Sequence, residues 1–128
     1  MRFCTVINCM DGRTQLPVIK YLQQRFGVDY VDSITEPGPN KILADQTNSH
    51  LLDSMFQRLQ ISLEKHDSVG LAVVGHAECA GNPVPEQEQT AHTLKAVEYL
   101  QDKYEGLEVI GLWVDANWNV VELSASNA

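Results

Sequence analysis

Val69-Gly70-Leu71-Ala72-Val73-Val74-Gly75, followed at once by His76-Ala77-Glu78-Cys79, is the stretch on which the fold turns. A run without a polar side chain cannot alternate a wet face with a dry one, so it reads as a strand covered on both sides, as in a parallel sheet. The run delivers His76 at its carboxyl end.

Upstream, residues 2–7 are β-rich and lead into the polar, turn-like Asn8-Cys9-Met10-Asp11-Gly12-Arg13. After it Leu16, Val18, Ile19, Leu22 and Phe26 recur at helical spacing, with Pro17 suited to the first turn and Gly27 to the end. A second strand fits residues 29–34. Glu36-Pro37-Gly38-Pro39-Asn40 reads as a loop, because its prolines and glycine sustain neither a ladder nor a helix interior. The longest helical pattern then covers about residues 44–66, with Leu52, Met55, Phe56, Leu59 and Leu63 on one stripe.

Downstream, a loop through Pro83 and Pro85 reaches an acidic helix start at Glu86 and Glu88. Leu94, Val97, Leu100 and Tyr104 mark that helix and Gly106 its stop. Residues 109–114 and Val120–Leu123 read as the last strands. The order βαβαβαββ, with right-handed crossovers, predicts an α/β fold: a mainly parallel four-stranded sheet flanked by helices, with a C-terminal antiparallel strand. At 128 residues and 44% apolar, the chain reads as one domain over residues 1–128, long enough for one core and too short for two.

Nine basic residues against seventeen acidic ones give a net charge of −8, which works against nucleic acid and anionic membranes as partners. The first residues lack the apolar core of a signal peptide, and no stretch has the length of a membrane span, so a cytoplasmic protein is expected. The three cysteines are odd in number and would be kept reduced there, which turns attention from disulfides to metal binding or catalysis.

Cys9 and His76 both fall near carboxyl ends of strands, where open α/β sheets place their crevices. His76-Ala77-Glu78-Cys79 spaces a nitrogen and a sulfur ligand across a loop, and Cys9 supplies a third, a set suited to zinc with one position left open. Asp11 is placed either to fill that position or to accept a hydrogen bond from a water or hydroxide occupying it. Arg13 is close enough to pair with Asp11 and keep it ionised. Two thiolates and an imidazole cancel the charge of Zn²⁺, so a bound water should be less acidic than on three histidines, and activity should rise toward alkaline pH. The plainer readings are a buried apolar Cys9, a hydrogen-bonded loop histidine at position 76, and an Asp11–Arg13 pair that only steadies a turn. Cys4 reads as core; His50, His66 and His92 read as solvated or capping residues on helices, although the helix of His92 follows the ligand loop. Trp113 and Trp118 read as packing a core or an interface.

At Cys9-Met10-Asp11-Gly12-Arg13 and His76-Ala77-Glu78-Cys79 the sequence resembles the β-class carbonic anhydrases, whose signatures are Cys-x-Asp-x-Arg and His-x-x-Cys in this order. The resemblance spans nearly the whole chain, including the ending Ile110-Gly111-Leu112-Trp113-Val114-Asp115. It implies a zinc enzyme that interconverts carbon dioxide with bicarbonate through a zinc-bound hydroxide. Cys9, His76 and Cys79 would be its ligands and Asp11 with Arg13 its catalytic dyad, in a homodimer or higher homo-oligomer. The chain departs from the family where Glu36-Pro37-Gly38-Pro39-Asn40 replaces an Arg-Asn-Ala-Gly-Asn-like loop, putting an acid in place of a base. It departs again where Ala80 precedes Gly81. The other functions open to such a reduced relative are a non-catalytic zinc-binding homologue, sensor or assembly module, and a hydrolase of a similar linear molecule such as carbonyl sulfide.

Overall fold

In the computed structural model, which describes residues 1–124, strand β3 (Gly70–His76) is buried at every position, as its apolar run requires. It lies between β1 (Phe3–Cys9) and β4 (Glu108–Val114), parallel to both. Strand β2 (Tyr30–Glu36) adds to the outer side of β1, also parallel, and β5 (Val120–Leu123) pairs antiparallel with β4. The sheet order is β2-β1-β3-β4-β5, and its four parallel strands with an antiparallel last one are the α/β fold expected from the sequence.

Because side chains alternate along a strand, β3 feeds two cores at once. Leu71 and Val73 join Ile7, Leu43, Met55, Leu59 and Leu100 beneath helices α2 (Pro39–Asp45), α3 (Ser49–Lys65) and α4 (Glu86–Lys103). Ala72 and Val74 meet Val6, Val18, Leu22, Ile110 and Leu112 on the opposite face, under α1 (Gln15–Phe26). Cys4, fully buried, belongs to this second core. The helices thus cover both faces of the sheet. Among the described residues, no helix is long and apolar enough to cross a membrane.

Three local expectations are corrected. The helix expected over about residues 44–66 begins only at Ser49, as α3, and residues 44 and 45 instead end the separate helix α2. Gln46 takes a left-handed conformation (φ 57°) and donates its N–H to Ile42 O at 3.1 Å, ending α2, while Asn48 Oδ1 accepts the Leu51 N–H at 3.1 Å and starts α3. The segment expected as a loop keeps only Pro37 and Gly38: Glu36 pairs with Cys9 at the end of β2, and Pro39, whose fixed φ suits a first helical turn, opens α2. Pro17, the third residue of α1, lies in its first turn as expected, behind a 3-10 turn over Gly12–Thr14. Gly27 does end α1 in the left-handed conformation (φ 63°), whereas α4 stops at Lys103 and Gly106 (φ 87°) turns the chain toward β4.

Candidate metal centre

The parallel pairing of β1 with β3 brings the ends of the two strands together, so that residues distant in sequence meet. Ligand atoms of Cys9, His76 and Cys79 lie within 4.8 Å of one another, and all three residues are buried. His76 Nδ1 lies 2.7 Å from its neighbour's carbonyl, Ala77 O, which makes that nitrogen the N–H donor. In the neutral ring Nε2 is a lone pair, and it is buried without a hydrogen-bond partner. An unpaired buried acceptor is costly and needs an occupant. Cys9 Sγ and Cys79 Sγ are 3.9 Å apart, against a chord of about 3.8 Å for two ~2.3 Å zinc–sulfur bonds at the tetrahedral angle. The donor set therefore fits a zinc ion in chemistry and in size.

Without an ion the two cysteines hold one proton between them. A hydrogen bond from Cys79 is the main force lowering the Cys9 thiol to about 4, helped by His76 and by the amides of Gly38 and Asp11 against the opposing effect of burial. The same bond and burial push the Cys79 thiol up, against the amides of Asn82 and Gly81. Backbone N–H groups from the loop between β2 and α2 and the loop after Cys79, joined by that of Asp11, thus converge on the sulfurs, a feature of anion-holding sites. Burial disfavours a charged His76, but the adjacent Cys9 sulfur, the Ala77 carbonyl and the nearby Asp11 charge outweigh this and raise it.

Those two loops are packed backbone on backbone. A Cβ on Gly81 would lie 2.4 Å from Pro37 C and 2.6 Å from Gly38 N, and Gly38 itself is left-handed (φ 60°). Just behind, the buried side chains of Asn40, Asn82, Gln89 and Thr93 form one polar cluster: Asn40 Nδ2 donates to Gln89 Oε1 at 2.7 Å, and Gln89 Nε2 donates to Asn82 O at 2.7 Å. Gly75 makes room for it, since a Cβ there would meet Thr93 Oγ1 at 2.7 Å. The cluster ties the loop after Cys79 to α2 and α4.

Asp11 and Arg13 do pair. Asp11 Oδ1 accepts from Arg13 N at 2.9 Å and Nε at 3.0 Å, and Oδ2 accepts from Nη2 at 2.7 Å. The Arg13 hydrogen bonds, opposed by some burial, hold the Asp11 carboxyl at about 2, so it is a carboxylate throughout the working range. Gln15 Nε2 braces the same turn from Cys9 O at 2.8 Å and Asp11 O at 2.9 Å. Glu36, the acid standing where the family has a base, is neutralised by a hydrogen-bonded ion pair with Arg58 of α3.

Of the other histidines, His50 is exposed, His66 bonds Asp32 Oδ2 at 2.6 Å and stacks on Phe3 at the start of β1, and His92 accepts from Asn82 Nδ2 at 3.0 Å. His92 thereby reaches the polar cluster behind the loop. Trp113 is buried, and Trp118 packs against the second core with its ring 4.6 Å from the Arg13 guanidinium carbon. Sequence reasoning missed the parts played by Gly38, Gly81, Asn82, Gln15 and Trp118; two glycines flanking the second motif were the visible signal.

No curated protein matches this sequence. Among solved structures, the fold is similar to that of a carbonic anhydrase from Streptococcus mutans, with 15% identity and a TM-score of 0.61 over 94% of this chain and 81% of that one. It is equally similar to that of tetrameric β-carbonic anhydrases from the ascomycete Sordaria macrospora, with 13% identity and a TM-score of 0.61 over 95% and 80%. A carbonic anhydrase from Glaciozyma antarctica aligns at 15% identity and a TM-score of 0.54 over 94% and 81%. At these identities the likeness is one of fold alone. A family model described as "Putative carbonic anhydrase" matches residues 1–124, both motifs included. That match takes in every described residue, and the chain therefore belongs to this carbonic anhydrase family.

Proposed function

We propose that the protein is a zinc-dependent carbonic anhydrase, converting carbon dioxide and water reversibly to bicarbonate and a proton. In this reading Cys9, His76 and Cys79 are the metal ligands and Asp11 with Arg13 is the dyad that manages the water. One observation carries the proposal: buried ligand atoms of Cys9, His76 and Cys79 lie within 4.8 Å of one another, and His76 Nε2 has no hydrogen-bond partner. The chemistry a bound zinc ion supplies is acidification of water, making a nucleophile available near neutral pH.

The chain's own residues have separate tasks. The Ala77 carbonyl orients the His76 ring and makes Nδ1 its N–H donor. Asp11, ionised, is a poor base and a good acceptor, fitted to orient an O–H group. Arg13 holds both carboxylate oxygens, which favours a dyad that stays off the metal over an Asp11 that fills the fourth position. The amides of Gly38, Gly81 and Asn82 moderate the charge of the two thiolates. We place this enzyme in the cytoplasm, where the free thiols of Cys4, Cys9 and Cys79 stay reduced. We assign it a homo-oligomer of two or more copies, a reading supported by the tetrameric Sordaria enzymes, and let residues 1–128 act as one domain.

The test is stopped-flow carbon dioxide hydration from about pH 6.5 to 9, spanning the pKa near 7 that catalytic zinc confers on water, with zinc content measured on the same preparation. A zinc-dependent rate that climbs with pH is expected. One zinc per chain with no hydration at any pH overturns the reading in favour of a non-catalytic zinc-binding homologue, and makes carbonyl sulfide the next substrate to assay.

A further inference from the structure

Trp118 stands out in the turn between β4 and β5. Its backbone is left-handed (φ 63°), a conformation that a bulky aromatic residue rarely adopts and that persists only where its surroundings impose it. Here they do: Asp115 Oδ1 accepts the N–H of Asn117 at 2.8 Å and of Asn119 at 3.0 Å, and Trp118 N donates to Asp115 O at 2.9 Å. The result is an indole whose ring centre lies 4.6 Å from the guanidinium carbon of Arg13, within range of a cation–π contact.

Arg13 has nearly half of its side chain in solvent, so its position depends on what grips it. Asp11 holds it from its own loop. Glu78, also left-handed (φ 59°) and lying between His76 and Cys79, approaches Nη1 to 4.0 Å. Trp118 adds a third contact from the far end of the chain. Both oxygens of Asp11 are engaged by Arg13, so the carboxylate reaches the metal position only if this grip opens.

We infer that Trp118 is a positioning residue: its ring fixes the Arg13 guanidinium, keeps the Asp11–Arg13 pair closed, and so sets how often Asp11 competes for the open position at the metal. The inference rests on the metal-site reading above and extends it to a residue outside both motifs. Removing the indole frees Arg13, shifts Asp11 toward the metal, and weakens any small anion that needs the same place.

The experiment loads the protein with cobalt(II) and titrates it with thiocyanate, following the visible spectrum. Trp118→Gly removes the ring and suits the left-handed backbone; Trp118→Asn, tolerant of the same conformation, is used if the glycine variant does not fold. Either should raise the apparent thiocyanate dissociation constant about two- to fivefold, the range an exposed cation–π contact sets. Trp118→Phe should stay near the parent value. In an Asp11→Asn background the loss of the ring should have no effect, which separates positioning through Asp11 from a general loosening of the turn. Unchanged affinity in Trp118→Gly and Trp118→Asn, or a change that persists with Asp11→Asn, overturns the inference. A parent that takes up no cobalt overturns the metal-site reading and this inference with it. A parent that binds cobalt but hydrates no carbon dioxide defeats only the hydration reading, and the Trp118 comparison still decides this one.

Discussion

Asp11 keeps its charge because Arg13 satisfies both of its oxygens, and that arrangement has a measurable consequence. Asp11→Asn should lower hydration about ten- to a hundredfold with zinc still bound at one per chain; loss of zinc in parallel would make Asp11 a ligand. Cys4 gives a contrast within the same chain. Fully buried, with its thiol pushed up to about 12 by burial and by Asp32, it should resist a thiol reagent at pH 8 in the folded protein. Cys9, held near 4 in the absence of metal, should be the thiolate that reacts once a chelator has been added; mass mapping of the label decides between them. The three proposed ligands were legible in the sequence because cysteine and histidine at strand ends are unusual there. Gly38, Gly81 and Asn82 were not, because what they contribute is a backbone N–H, which every non-proline residue carries and only the fold can aim.

Strand and helix boundaries decide how firmly the site is built. The loop between β2 and α2 and the loop after Cys79 touch through Gly38 and Gly81, with no room for a methyl group between them. Gly81→Ala should force the loops apart, destabilising the protein by about 1–3 kcal/mol and weakening zinc retention against a chelator; an unchanged melting curve and unchanged zinc loss would remove the glycine contact from the account. The apolar run of β3 announced its place correctly, since a strand buried on both faces has no other home. The break between α2 and α3 escaped notice for a physical reason. The six polar residues 45–50 read equally well as exposed turns of a helix, and the Gln46 left-handed cap has no glycine to mark it. The ends of β1 and β2 were also read short, because polar residues such as Asn8 and Glu36 stay in the sheet through pairing with each other's strand.

At the scale of the molecule, two cores on opposite faces of one sheet support the chain without help from a metal. Chelation should therefore lower the melting temperature while leaving the far-ultraviolet circular dichroism of the folded state in place. The stabilisation lost is about 4 kcal/mol if free zinc had exceeded its dissociation constant a thousandfold. An apo protein without secondary structure would show that zinc is needed to fold. The mainly parallel character of the sheet was legible from the alternation of strands with helices, and the closing antiparallel strand from the short spacing between the last two. What holds that final strand was not legible: Arg25 of α1 bonds Glu122 of β5 at 2.6 Å and Glu108 of β4 at 2.8 Å, uniting helix and hairpin across a sequence separation of 97 residues. During synthesis at about 5–20 residues per second, Arg25 waits roughly 5–20 s for Glu122 to be made. Until then the apolar side of the first helix is born ahead of the strands that will cover it, and the nascent chain is most in need of a chaperone in the interval before its last strand is translated.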